Sequence, residues 1–211
     1  MKERDDRGIS LIELLVGITV LAFVGLMAGA FLNVSTKLGR KTVTYADIQS
    51  ESQSVMRRLT DAVMNGESVY INQDAAGTVI FTGKQAVQSD GTHYTGETFF
   101  FDQGGHSLYQ KRSGDFTVSS SDGSSAPLNS STVRDGIISK EYLVSDKLED
   151  MDVGLEIGGV LQNEADGRKE ADGSVTVRFD LTFSNKESSG YQCSSGSSTR
   201  NKPAVVWYYK Q

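Results

Sequence analysis

The sequence predicts an α+β protein, in which a long N-terminal α-helix carries an antiparallel β-sheet globular head. Three observations predict it. Ile9 to Leu32 is an apolar run whose only polar side chains are Ser10, Glu13 and Thr19. An apolar stripe at helical spacing continues it, and no proline interrupts the chain before Pro127. After Gly66 the pattern changes to period two, punctuated by turn residues.

The apolar run comes first because it bounds everything else. As a helix, its 24 residues extend about 36 Å, enough for a hydrocarbon core of about 30 Å. The remainder is polar. Three readings compete for the segment. Ala28-Gly29-Ala30 resembles a signal-peptide cleavage site, but the run exceeds the usual 7–15 residues. The preceding Met1–Gly8 is nearly charge-balanced, with Lys2, Arg4 and Arg7 against Glu3, Asp5 and Asp6. A simple membrane anchor fits the length, but it has no use for Glu13, whose carboxylate costs a few kcal/mol within such a run.

The third reading accounts for Glu13. The segment Gly8-Ile9-Ser10-Leu11-Ile12-Glu13-Leu14-Leu15-Val16 resembles the type IV pilin-like signal. The polar leader ends in Gly, the apolar flank is uninterrupted, and Glu13 is fifth counting from Ile9. Ile9 stands where the family usually has Phe. The resemblance implies cleavage between Gly8 and Ile9 by a prepilin peptidase, and N-methylation of Ile9. It implies that Glu13 of an incoming subunit pairs with the Ile9 amine of a subunit already in the filament. An ammonium and a carboxylate attract strongly in low dielectric, and each alone is costly there. The division expected is a leader at 1–8, a transmembrane and filament-core helix at 9–32, an amphipathic continuation at 33–65 and a β-rich head at 66–211.

Leu38, Tyr45, Ile48, Val55, Leu59 and Ala62 form the stripe of the continuing helix, with Ser52 its polar exception. Gly66 after Asn65 marks a C-terminal cap. Gly25 and Gly29 form a small-xxx-small pair that permits close helix packing, although ordinary glycine usage in membrane helices explains them equally well. Three bases precede the span and Lys37, Arg40 and Lys41 follow it, so charge alone does not orient it.

In the head, Thr78–Thr82 reads as a strand, and Glu97–Asp102 with Ser107–Arg112 as a hairpin around Gln103–His106. Met151–Ile157 and Val175–Phe183 alternate apolar and polar residues. Val205–Tyr209 reads as a final strand or core-packing tail, or else as an exposed aromatic contact surface. Ser119–Ser131, Gly158–Ser174 and Ser184–Lys202 read as polar surface loops. The acidic turns Glu164–Gly167 and Glu170–Gly173 suit either solvent or calcium, and their spacing is not that of an EF-hand. Cys193, in the last loop, reads as an exposed thiol.

Composition excludes more than it selects. The formal charge is −6, from 27 acids against 21 bases, which argues against nucleic acid as a partner. One cysteine cannot close an internal disulfide, and His93 and His106 do not make a metal site alone. No nucleophile elbow, phosphate loop or dinucleotide fingerprint is present, so no catalytic residue or cofactor is expected. The resemblance implies a filament subunit of a type IV pilus, competence pilus or type II secretion pseudopilus, and a minor pilin or pseudopilin is the form expected. It is first held in the inner (cytoplasmic) membrane among lipid with its head outside, then moved into a cell-surface or periplasmic filament. Its implied partners are other pilin or pseudopilin subunits, prepilin peptidase, an assembly platform protein and an ATPase. The alternative is a single-pass anchored adhesin or binding module outside any filament.

Overall fold

A computed structural model describes residues 10–88, 91–118, 130–162, 166–185, 188–201, 203 and 205–210. The chain divides into two compact units, Met1–Tyr45 and Ala46–Gln211. The helix α1, Leu11–Asn65, supplies the described part of the first and opens the second.

Within the first unit, the Glu13 and Leu14 amides both donate to the Ser10 carbonyl, at 2.9 and 3.1 Å, and start the helix. No strand packs on it, and every residue from Ser10 to Val43 is exposed. Leu38 and Tyr45 continue the helical stripe in sequence but are 60% and 48% exposed. The stripe buried in the structure begins at Ile48.

In the second unit, α1 buries Ile48, Ser52, Val55, Leu59, Ala62 and Val63. The spacing of three and four residues places them on one face. The helix stops at Asn65 as the sequence suggests, but Gly66 does not adopt the left-handed conformation of a capping glycine. Glycine is needed there for room: a Cβ would lie 3.1 Å from the Thr82 Cβ. The Arg200 amide, from the far end of the chain, donates to the Met64 carbonyl at 3.2 Å and satisfies part of the helix end.

The strands are β1 (Ser68–Asp74), β2 (Gly77–Gln88), β3 (Gly91–Asp102), β4 (Ser107–Val118), β5 (Leu143–Ser145), β6 (Leu148–Ile157), β7 (Val160–Leu161), β8 (Asp166–Glu170), β9 (Val175–Asn185), β10 (Ser188–Ser198) and β11 (Val205–Lys210). A second helix, α2, covers Ser130–Ile137. One sheet has the order β5-β4-β3-β2-β1-β11-β8, and the other β10-β9-β6-β7. The β1–β11 ladder is parallel and the other ladders are antiparallel. Thus the expected hairpin, the two alternating strands and the final strand all form.

The main core lies between the two sheets and the buried face of α1. It gathers Val55 and Leu59 from α1, Ile71, Phe99 and Phe101 from the larger sheet, and Phe179, Leu181 and Phe183 from the smaller. A second cluster holds Tyr70, Phe81, Phe100 and Trp207 under Val133 and Ile137 of α2. The larger sheet is therefore buried on both faces, so the unbroken run Phe99-Phe100-Phe101 sends successive rings into different cores. At the crossing of β2 and β3, Gly96 pairs with Gly83, and a Cβ on Gly96 would lie 2.1 Å from the Thr82 carbonyl oxygen.

Two of the expected loops are strands. Gly158–Ser174 contains β7 and β8, so the acidic residues Asp166 and Glu170 lie at the ends of a paired strand. Ser184–Lys202 contains β10, whose pairing with β9 runs from Ser188 to Ser198 with one register shift. The sequence hides β10 because its inward side chains beyond Tyr191 are small. Tyr191, Cys193, Ser195 and Ser197 alternate with exposed residues. The Ser197 hydroxyl donates to the Thr60 carbonyl of α1 at 3.0 Å. Cys193 is not the exposed thiol expected of a loop: it is half-buried against the main core, burial raises its pKa, and a hydrogen bond with Ser52 opposes the rise. Of the third expected loop, residues 119–129 lie outside the described residues, and its end belongs to α2.

The exposed edge of β6 is closed by side chains of the larger sheet. The Tyr208 hydroxyl donates to the Val153 carbonyl at 3.2 Å. The Gln73 amide, turned to satisfy both its ends, donates to the same carbonyl at 3.1 Å and accepts from the Val153 amide at 3.0 Å. Such capping removes an edge that would otherwise template pairing with another chain.

Glu51 ties α1 to the β5–β6 connection, accepting from the Ser145 hydroxyl and from the Lys147 ammonium, each at 2.5 Å. The hydrogen bond to Glu51 raises the Lys147 pKa above 10.5, against a smaller opposing effect of burial. A raised lysine pKa stabilises the fold below the unfolded value, and the contribution disappears as pH rises through the folded value. Lys147→Met is therefore expected to lower stability at neutral pH by less than about 1 kcal/mol, because the pair is partly exposed. The difference from wild type should shrink above pH 10.5 in urea titrations followed by the fluorescence of Trp207.

Candidate functional site

The feature that sets this chain apart is the first unit of α1. Its side chains from Leu11 to Leu32 are almost all apolar, and all are exposed: Leu11 is 83%, Phe23 61% and Phe31 73% accessible. Beyond its first turn the backbone is satisfied within the helix. Three threonine hydroxyls also bond back to it: Thr19 donates to the Leu15 carbonyl at 2.8 Å, Thr36 to Leu32 at 2.7 Å and Thr42 to Leu38 at 3.0 Å. Such back-bonding leaves these threonines with no demand on water. The segment is long and apolar enough to cross a membrane, and none of it is buried within the chain. An uncovered surface of this kind requires lipid or other protein against it.

One group breaks the pattern. Glu13 lies in the first turn of α1 and is exposed, and its carboxylate makes no hydrogen bond or ion pair among the described residues. Its position near the helix N-terminus is electrostatically favourable, since the free amides there carry partial positive charge. Gly8 and Ile9, where cleavage and methylation are expected, lie outside the described residues. Gly25 and Gly29 are one turn apart, and a Cβ at either would meet nothing within 4 Å. Nothing within the chain therefore demands glycine at these positions.

The second unit contains open grooves. One, of about 360 Å³, lies between the end of α1 and β2–β4 and is lined by Arg58, Lys84, Glu97, Gln110 and Arg112. Arg58 donates to the Gln110 side-chain oxygen Oε1 at 3.1 Å, and the Gln110 side-chain nitrogen Nε2 donates to the Glu97 carboxylate at 3.1 Å. This is a relay of hydrogen bonds between side chains, with no nucleophile set against a base. Among the described residues, no three His, Cys, Asp or Glu side chains gather as metal ligands.

With the geometry in place, the comparison with known families is decisive for the N-terminus. Residues 4–29 match the family described as the prokaryotic N-terminal methylation motif. The match supports a type IV pilin-like prepilin. No curated protein and no solved structure matches the chain. The motif supports a type IV pilin-like filament subunit, and the uncovered apolar helix fits membrane anchoring followed by assembly into a filament. The pilin-type motif implies assembly with other pilin subunits and processing by prepilin peptidase. The family is structural.

Two features of the prepilin were not singled out as functional in the sequence. Lys37, Arg40 and Lys41 enter there only as bases that follow the span; in the structure all three are exposed on the uncovered unit, with no acidic residue from Leu14 to Ala46. The second is the division at Ala46, well before the helix ends. Because the buried residues of α1 all lie beyond Tyr45, residues 46–211 are expected to remain in the supernatant without detergent. The full chain is expected to sediment until detergent is added. Ultracentrifugation of the two proteins checks this, and a detergent-free monomer of the full chain is the contrary result.

Proposed function

We propose that this chain is a minor pilin or pseudopilin, released from its leader by cleavage between Gly8 and Ile9, N-methylated at Ile9, and polymerised through α1. The observation that carries the reading is Glu13: a lone carboxylate at the start of an otherwise apolar, fully exposed helix. Cleavage after Gly8 would create an ammonium at Ile9. In a bundle of such helices, the Glu13 of one subunit would neutralise the Ile9 amine of its neighbour. Pairing then fixes the axial register, because an apolar rod alone slides freely and an unpaired charge in low dielectric does not. Gly25 and Gly29 suit the close approach of neighbouring helices, since no contact within the chain uses them.

The head supports a minor rather than a major role. Its two sheets, extra helix and long connections give an irregular outer surface, suited to a sparse position in a type IV pilus, competence pilus or type II secretion pseudopilus. Glu13 is present, which disfavours the tip position whose subunit lacks this acid. The head lies outside the cytoplasm. A platform protein and an ATPase supply the work of extraction, because leaving the bilayer exposes α1 until neighbouring helices cover it.

Mass spectrometry of the intact chain from its native host tests the processing. The expected N-terminus is Ile9, and a chain that still begins at Met1 overturns the reading. Glu13→Val is expected to leave membrane insertion unchanged and to abolish recovery in sheared filaments. An unpaired amine in the filament core costs roughly 3 kcal/mol, or more than about a hundredfold in incorporation. Quantitative mass spectrometry of purified filaments checks the minor role, and a dominant share of this subunit contradicts it.

A further inference from the structure

Charge is distributed along the first unit of α1 in two places only. Glu13 stands at one end and Lys37, Arg40 and Lys41 at the other, with 23 uncharged residues, Leu14 to Thr36, between them. At 1.5 Å per residue, Glu13 and Lys37 are about 36 Å apart along the axis. A hydrocarbon core of about 30 Å fits between them, and a bilayer of about 40–45 Å including headgroups contains both. At 100° per residue, the three bases fall within about 100° of arc, while Val34, Leu38 and Tyr45 occupy the adjoining face. All six side chains are exposed. The bases make no ion pair among the described residues.

We infer that Lys37, Arg40 and Lys41 form a collar that binds lipid phosphate groups at one face of the membrane and, with Glu13 at the other, fixes the depth of the stored helix. The inference rests on the reading that the chain is held in a membrane before assembly. The bases begin about 7 Å beyond Leu32, the depth of the headgroup layer. With the head outside, they lie on the face where bases are ordinarily scarce, so they call for an interaction there. The device resists motion in both directions. Sinking would bury three ammonium and guanidinium groups in hydrocarbon. Rising by one turn, about 5.4 Å, would lift them from the phosphates and draw Glu13 into the apolar layer. Neutralising Glu13 with a neighbour's amine removes one restraint and leaves the collar as the other.

The test uses the full chain in a Cys193→Ser background, reconstituted in vesicles of phosphatidylcholine with phosphatidylglycerol. A single cysteine at Thr42 is labelled with a membrane-impermeant maleimide from the head side. With the collar intact, labelling is expected to be fast. In Lys37→Gln/Arg40→Gln/Lys41→Gln, the apolar Leu38, Val43 and Tyr45 should draw the segment inward, slowing labelling by at least about fivefold. Lys37→Arg/Arg40→Lys/Lys41→Arg should restore the fast rate. Equal rates in the intact and triple-glutamine proteins overturn the inference. A change in the intact protein's rate on adding inorganic phosphate in detergent micelles, matched to that in vesicles, would assign the collar to free phosphate and overturn the lipid assignment. Labelling is compared with and without Met1–Gly8. Absence of leader removal in the host therefore sinks the filament reading alone, and an unmoved labelling boundary sinks the collar alone.

Discussion

A helix that offers apolar side chains in every direction must be covered by something other than water, and this chain does not cover it. That constraint governs the rest. The strands fold onto α1 only from Ile48 onward, leaving the preceding turns bare. Lipid and the helices of other subunits are the two environments that satisfy such a surface, and a filament subunit passes from one to the other. Glu13 becomes meaningful within that passage. In a single copy its carboxylate has no partner among the described residues; in a bundle of processed subunits every copy brings one amine and one acid.

The head solves a separate problem. Its larger sheet is buried on both faces, by α1 and the smaller sheet on one and by α2 on the other. The final strand, β11, is central to this arrangement. It enters between β1 and β8, runs parallel to β1, and divides Val206 and Tyr208 from Trp207 between the two cores. β11 is thereby built into the larger sheet with a partner strand on each side. Contacts of α1 with Ser197 and Arg200 fasten the last part of the helix to the C-terminal strands.

The signals that were readable share one property: burial of one face imposes a period on the side chains. Val175 to Phe183 alternates because β9 has one face in the core and one in solvent. The strands that were misread lack this property. Beyond Tyr191 the inward face of β10 is cysteine and serine, which meet Ser52 and the Thr60 carbonyl of α1, so no sustained apolar alternation marks it. β7 is two residues long, and β8 carries charged residues on a sheet edge. Their pairing is decided by the partner strands, which a local pattern does not contain.

The sequence by itself determined the α+β class, the long N-terminal helix and its end near Asn65, the principal strands, and the pilin-like motif with Glu13 at its fixed offset from Gly8. Those are properties of short segments, written in spacing and hydropathy. Tertiary structure decided where the helix stops being bare, how the strands divide into two sheets, that Cys193 is half-buried, and that Gly66 answers to crowding by Thr82. Each of these depends on which distant segment arrives alongside. Burial is a relation between parts of the chain remote in sequence, and only the folded molecule brings them together.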